Sequence, residues 1–526
     1  MRTRAHSLSI GLAGLAAMAL ALAAGPAAAH IERPIDSPIR PGPVPDEGRS
    51  HAHVISVCKR APFTRLPSRW AWGGWTRRTI RGAARRRCDF EHIQDAVNAA
   101  PDDTLIQIYP GLYREEPSRA APTSEVGDLP DGSFSYEYQL AHPNDANLIA
   151  ILGKRNITLE GMGASPRAVV IDAGFEKDVG IRCDRCEGII VRNLTVRNAG
   201  EHGIYFVDTD GYVFDRTIGE YANEYQLFAF ASDNGLFHDC EALGGSDSGI
   251  YVGGSPDTSE LGRFSAEIRN CWMHHNALGF SGTQGNSVWM HHNEVFDNAV
   301  GISFNSQNDH PNFPQRQSLI EENHIHDNNF DIYAPGSDVP PGGPADDFFH
   351  YPVGTGMWII GGEDNVIRNN RVHDNGAFGF ILAGNALEAP LPAEVHRNEF
   401  SGNLMGTAAG DGAGPNGTAL EPTDVYPPGG TDFFWDGTGN DNCWGENGAS
   451  TTFPEALPGP CPASNEGAEV PTGPALDLLL ACLIGEDGST QGDCPSGTEN
   501  RAPRYNRNQR HLLLVGEGSG RIGSSY

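Results

Sequence analysis

Paired asparagines constrain this chain more than any other feature. Asn193, Asn293, Asn323, Asn370 and Asn398 are each followed five residues later by a second asparagine, at Asn198, Asn298, Asn328, Asn375 and Asn403. An apolar residue stands three positions before the first asparagine (Ile190, Met290, Ile320, Ile367, Val395). A mostly apolar position falls two after it (Thr195, Val295, Ile325, Val372, Phe400). Cys240 and Cys271 take the first asparagine's place in two further copies, and Arg216 in a degenerate one. The shortest spacings between copies are 22 to 24 residues, too short for two helices and rich in Asn, Gly, Val and Ile. Short β-type runs at such a period mean stacked units rather than a globular core. The pattern predicts a parallel β-helix whose coils lie about 4.8 Å apart. Apolar columns fill its interior, and asparagines hydrogen-bond amide to amide along the axis. A second short strand opens after each copy, at Ile204, Ile250, Phe280, Ile302 and Phe380.

The ends differ from the middle. Residues 1–29 read as a secretory signal, with Arg2 and Arg4 before an apolar run and Ala27-Ala28-Ala29 as a cleavage site. The run is too short and alanine-rich for an anchor, so the expectation is a secreted monomer with no membrane span after cleavage. Ten cysteines, all after the signal, suit an oxidising compartment. Cys240 and Cys271 hold one slot in adjacent coils, about 5 Å apart, which predicts a disulfide. Cys58–Cys88, Cys443–Cys461 and Cys482–Cys494 are plausible local pairs, and Cys183-x-x-Cys186 reads as structural rather than redox or metal-binding. Residues 30–88 form a Pro- and Arg-rich arm in which Arg77, Arg78, Arg81 and Arg85 crowd beside Trp70, Trp72 and Trp75. A formal net charge of -30 argues against a nucleic-acid partner and favours an arm lying on an acidic body. Residues 89–403 hold the coils. Residues 404–465 read as a disulfide-bearing cap, and residues 466–526 as a low-complexity, largely disordered tail.

Phe90, Ile93, Val97 and Ala100 lie on one face of a short helix stopped by Pro101, a fitting cap for a solenoid end. The run Ile93-Gln94-Asp95-Ala96-Val97-Asn98-Ala99-Ala100, then Asp103-Thr104-Leu105-Ile106, then Pro110-Gly111-Leu112-Tyr113-Arg114-Glu115 resembles the opening of the pectin-lyase-like right-handed β-helix superfamily. It is similar to the secreted actinobacterial right-handed β-helix repeat proteins. The resemblance implies right-handed coils and a lateral groove of the kind in which the superfamily's lyases, hydrolases and epimerases place polysaccharide.

Long excursions at residues 253–263, 305–317, 334–356 and 385–393 read as leaving the repeat at one place, just after its second strand. Insertions at one repeat position gather on one face, commonly the binding face. They would wall a groove suited to an extended polysaccharide or cell-envelope glycan. Two functional readings follow: a polysaccharide lyase or glycoside hydrolase, or a non-catalytic binding or structural protein of the cell exterior. The candidate catalytic residues are Asp309, His310 and Arg316 in one loop and Asp346, Asp347 and His350 in the next. Hydrolysis needs two facing carboxylates, about 5 to 9.5 Å apart, which Asp309 against Asp346 or Asp347 would supply. Uronate elimination needs a base and a cation, for which Arg316, or His310 with Ca²⁺, would serve. Polar loops also carry such residues merely for solvation. Asp297, Asp327 and Asp374 share one slot in successive copies, and Ca²⁺ would relieve their repulsion; splayed, solvated charges are the plainer alternative. Zinc would need three or four converging ligands among His274, His275, His291, His292, His324, His326 and His373. Adjacent strand residues face opposite ways, so each His-His pair splits; His326 and His373 stack in adjacent copies, but Phe296 separates that column from His274, so spacing alone does not make them converge.

Overall fold

A computed structural model describes residues 35–59, 88–119, 135–334, 337–339, 351–385, 394–417, 431–449 and 451–467. The signal segment, the Arg/Trp cluster, Cys482 and Cys494 lie outside the described residues.

Each coil carries three short strands, one more than the repeat pattern suggests. The strands assemble into parallel sheets of 12, 11 and 10 strands, here sheets 1, 2 and 3. Sheets 1 and 3 consist largely of three-residue strands in the later coils, such as Leu319–Glu321 and His324–His326. Sheet 2 uses longer strands, such as Val300–Asn305. The interior is a set of in-register columns. In sheet 1, Val191, Phe214, Phe237, Ile268, Met290, Ile320, Ile367 and Phe400 stack in successive coils. In sheet 2, Ile204, Leu227, Ile250, Phe280, Ile302, Met357 and Phe380 do the same. Helix Ile93–Ala99 buries Ile93, Ala96 and Val97 against the first coil.

The corners are where the asparagines work. Asn293, Asn323, Asn370, Asn403 and Asn447 form a column between sheets 1 and 3, each Nδ2 donating to the next Oδ1 at 2.9–3.0 Å. Asn276, Asn298, Asn328, Asn375 and Asn416 form another between sheets 3 and 2. Gln315, Asn365, Asn398 and Asn442 form a third between sheets 2 and 1. The five-residue spacing therefore has two meanings. Because sheets 1 and 3 both use three-residue strands here, it spans either the first and second corners or the third and first. Asn398 accordingly stacks on Asn365, and Asn403, not Asn398, continues the Asn370 column. The first copy is displaced by one: Val191, not Ile190, is the inward residue, and Asn193 occupies the left-handed corner slot at φ 55°.

Two expectations need correction. Cys240 and Cys271 are free, buried thiols, not a disulfide. Their coils do stack, since Glu241 pairs with Trp272 one residue on. Parallel neighbours about 4.8 Å apart hold their Cβ atoms wider than the roughly 3.8 Å a disulfide prefers. Cys240 Sγ donates instead to Phe214 O at 3.3 Å, and Cys271 Sγ to Arg269 O at 3.3 Å. Cys58–Cys88, Cys183–Cys186 and Cys443–Cys461 are disulfides. Second, the long excursions do not share one position. Residues 253–263, 305–317 and 385–393 follow sheet 2 strands, but residues 334–356 precede the strand Thr355–Ile360. Insertions therefore adjoin both edges of sheet 2.

The first described stretch crosses the coils. Arg40 pairs with Asp208 and its backbone N–H donates to Asp233, Gly42 N–H donates to Asp210, and Glu47 lies 2.9 Å from His238 Nε2. Arg49 donates to Gly188 O and Asn156 Oδ1.

Asn328 serves four groups: Asn298 N–H, Asn298 Nδ2, Val295 O and Asn375 Oδ1. Orphaning buried polar groups costs ~1–3 kcal/mol each. Asn328→Ala is expected to lower unfolding free energy by at least about 3 kcal/mol in denaturant titrations, and Asn447→Ala, at the half-buried end of the column between sheets 1 and 3, by clearly less. In thiol labelling without reductant, Cys240 and Cys271 are expected to resist reagent in the native chain and to react on denaturation. Continued silence of both after denaturation would instead mean a bond between them.

Candidate functional site

Sheet 2 changes character on its outer face. The residues alternating with the inward column are Tyr205, Phe228, Tyr251, Ser281, Ser303, Trp358 and Ile381 in successive coils. Tyr205 stacks on Phe228 at 4.3 Å, Tyr225 lies 4.7 Å from Tyr251, and Phe228 meets Tyr251 edge-on at 4.8 Å. Such aromatic pairs add about 0.5–1.5 kcal/mol each beyond their burial. Trp358 donates its indole N–H to Ser303. At the N-terminal end Arg182 pairs with Asp184 at 2.9 Å, both about 1 % exposed or less, with the guanidinium over the Tyr205 ring.

Titratable groups flank this row at both edges. On the sheet 3 side, Asp247 sits ahead of the strand Ser248–Gly253. Its Oδ2 accepts from Tyr351 at 3.4 Å and Tyr225 at 3.5 Å. Burial pushes this carboxyl up to about 7, although the Tyr351 and Ser248 hydroxyls favour its ionised form. Beside it His202 stacks on Tyr225, with Glu224 at 3.5 Å; burial and the Arg182 charge lower it to about 3. On the sheet 1 side, Asp309 holds His310 Nδ1 at 2.7 Å. Burial works against its charge, but the hydrogen bond to His310 wins and keeps Asp309 below the usual carboxylate range. The His310 ring lies edge-on to Phe230 at 5.6 Å. Asp247 and Asp309 both act electrostatically on Tyr251, which stands between the two edges.

The expected residues are thus only partly brought together. Asp309 and His310 form a pair. Arg316 lies apart from it at the corner, 3.7 Å from Glu363 and donating to Phe313 O and Pro314 O. Asp346, Asp347 and His350 lie outside the described residues, so the expected Asp309–Asp346 or Asp309–Asp347 facing is not described. Asp297, Asp327 and Asp374 do share a slot, each in the left-handed conformation at φ 50–56°. Asp327 and Asp374 are each hydrogen-bonded to the preceding histidine, at 3.0 and 2.7 Å. Burial and Asp327 raise Asp297. Asp247 was missed. The Gly-Gly-Ser-Asp-Ser-Gly run around it reads as a turn, and its partner Tyr351 lies 104 residues away. A carboxylate one residue ahead of an aromatic-bearing strand was the available signal.

A family model described as a right-handed beta helix region matches residues 162–318. No curated protein matches the chain. Among solved structures, the A-module of a mannuronan C-5 epimerase from Azotobacter vinelandii is similar at 14% identity, covering 72% of this chain and 95% of that one, with a TM-score of 0.43. A family 28 exopolygalacturonase from Yersinia enterocolitica is similar at 11% identity over 70% and 75% of the two chains, TM-score 0.37. A pectate lyase is similar at 12% identity over 76% and 78%, TM-score 0.32. No helix among the described residues is long and apolar enough to cross a membrane.

Asp247 generates a pH signature. Its folded value of about 7 exceeds the unfolded 3.8, so the folded chain retains a proton that the unfolded chain gives up. That contribution to stability is full below about pH 4 and is lost as pH rises through about 7. Wild type is expected to lose a few kcal/mol relative to Asp247→Asn as pH rises across this window, measured by denaturant unfolding.

Proposed function

We propose that this chain, a pectin-lyase-like right-handed parallel β-helix, is a secreted protein that engages an extended polysaccharide over the outer face of sheet 2. The observation that carries the reading is the composition of that face. The repeat elsewhere needs only solvated polar residues outside, yet here aromatic rings, hydroxyls and ionisable groups are laid in register across seven coils. Insertions adjoin both its edges. Rings and hydroxyls on a rigid sheet match the alternating apolar and hydroxylated faces of a sugar chain. Asp247, with its proton held near neutral pH between two tyrosine hydroxyls, suits proton donation; Asp309, held ionised by His310, suits proton acceptance. A polysaccharide lyase or glycoside hydrolase is the catalytic form of this reading.

A second reading has an observation of its own. All seven residues of the row are 4 % exposed or less; Ile35 packs against its aromatic end, and Ile332, Val339, Tyr351 and Val353 pack with Trp358 and Ile381. Burial to that degree suits a structural layer, and with it a non-catalytic binding protein that uses the neighbouring surface.

A turnover and binding screen of the mature chain tests both. It uses neutral and acidic polysaccharides with and without Ca²⁺, and reads reducing ends and unsaturated-uronate absorbance. Turnover of one glycan, reduced by at least about tenfold in Asp247→Asn and Asp309→Asn, is the expected result. Binding without turnover selects the second reading, and neither binding nor turnover across the panel rejects both.

A further inference from the structure

On the outer face of sheet 3, three side chains from two successive coils meet, and a fourth from the next coil reaches one of them. The strands Glu294–Phe296, His324–His326 and Arg371–His373 pair in register, so that Glu294 neighbours His324 and His326 neighbours His373. Ligand atoms of Glu294, His324 and His326 all lie within 4.8 Å of one another. His326 Nε2 is 3.5 Å from Glu294 Oε1, and His324 Nε2 is 2.8 Å from His373 Nε2. We propose that Glu294, His324 and His326, with His373 at the fourth position, form a binding site for a divalent transition metal of the zinc class.

The surroundings orient each ligand as a metal site requires. Asp327 takes His326 Nδ1 at 3.0 Å and Asp374 takes His373 Nδ1 at 2.7 Å, which turns both Nε2 atoms toward the centre. Carboxylates on the far nitrogen are the usual support of metal-bound imidazoles. Trp272 Nε1 donates to Glu294 Oε2 at 2.9 Å, which leaves Oε1 facing the imidazoles. His326 Nε2 is buried and makes no close hydrogen bond, with Glu294 Oε1 3.5 Å away. Arg371, the register neighbour of His324, donates its Nε to Ala409 O at 2.8 Å and so turns its charge aside. Three imidazoles and one carboxylate suit zinc and its neighbours rather than Ca²⁺. The bound ion would tie three coils together through their outer face, on a different sheet from the proposed glycan surface.

Titration of chelator-treated mature protein with Zn(II) alone tests the site. One ion per chain, a raised Tm, and visible bands of a tetrahedral complex on Co(II) substitution are expected. His326→Phe places in this coil the residue the previous coil carries at Phe296, and Glu294→Gln keeps a hydrogen-bonding group for Trp272. Each is expected to fold, and either is expected to abolish the Co(II) bands. Asp327→Asn is expected to weaken Zn(II) by about 10- to 100-fold, whereas His292→Ala, at an exposed corner, leaves binding unchanged. Absence of Zn(II) binding in wild type, or binding that survives in both His326→Phe and Glu294→Gln, overturns the proposal.

Discussion

Everything in this molecule depends on keeping parallel strands in register while the chain turns three corners per coil. A corner interrupts the backbone ladder and leaves buried carbonyls and N–H groups without strand partners. One side-chain type repairs this completely. Asn323 accepts from Asn293 N–H and Nδ2, and donates to Met290 O and Asn370 Oδ1. The same slot in earlier coils is filled by other donors with the same duty. Thr217 Oγ1 reaches Val191 O at 3.0 Å and Cys240 Sγ reaches Phe214 O at 3.3 Å. Val191 and Phe214 are the coil-by-coil counterparts of Ile268 and Met290, whose carbonyls Asn293 and Asn323 serve. Cys240 is therefore a hydrogen-bond donor standing where asparagine stands later, and a thiol employed in that way remains a thiol.

The corner also demands a backbone conformation that most residues resist. Asn193, Arg216, Asp239, Asn270, His292, Glu322, Asn369 and Glu446 occupy equivalent corner positions with φ between 46° and 56°. Asparagine and aspartate tolerate this region through local hydrogen bonds, while the rest carry strain of about 1 kcal/mol or more. The same demand sets Asp297, Asp327 and Asp374 in their shared slot. A carboxylate column at a corner thus follows from backbone geometry before any ligand is considered, and the histidines one residue earlier give Asp327 and Asp374 their partners.

How much of this was legible in the chain varied with the length scale. The apolar columns and the presence of asparagine stacks show in the period, because equivalent residues repeat their chemistry. The existence of three columns does not show, because strands of three residues in two different sheets give the same five-residue spacing. Asn398 and Asn403 read from the period as first- and second-column residues, one corner further along the coil than the third and first columns they occupy. The surface sites were harder still. Asp309 and His310 are neighbours in sequence, and their pairing needed little folding. Asp247 meets Tyr225 and Tyr351, 22 and 104 residues away, only because the coil brings one edge of sheet 2 into line.

Composition and period settle that the chain is a stacked β-solenoid, with aliphatic and aromatic residues inward and asparagines at its turns. These are nearest-neighbour properties, repeated from coil to coil, and a linear sequence records them directly. Which side chains share a point in space is a different matter. Glu294, His324, His326 and His373 converge because three short strands stack in register and two aspartates rotate two rings inward. The repeat by itself sets His326 beside His373; that Glu294 and His324 meet them is decided only by the closed coil, with its registers and rotamers in place.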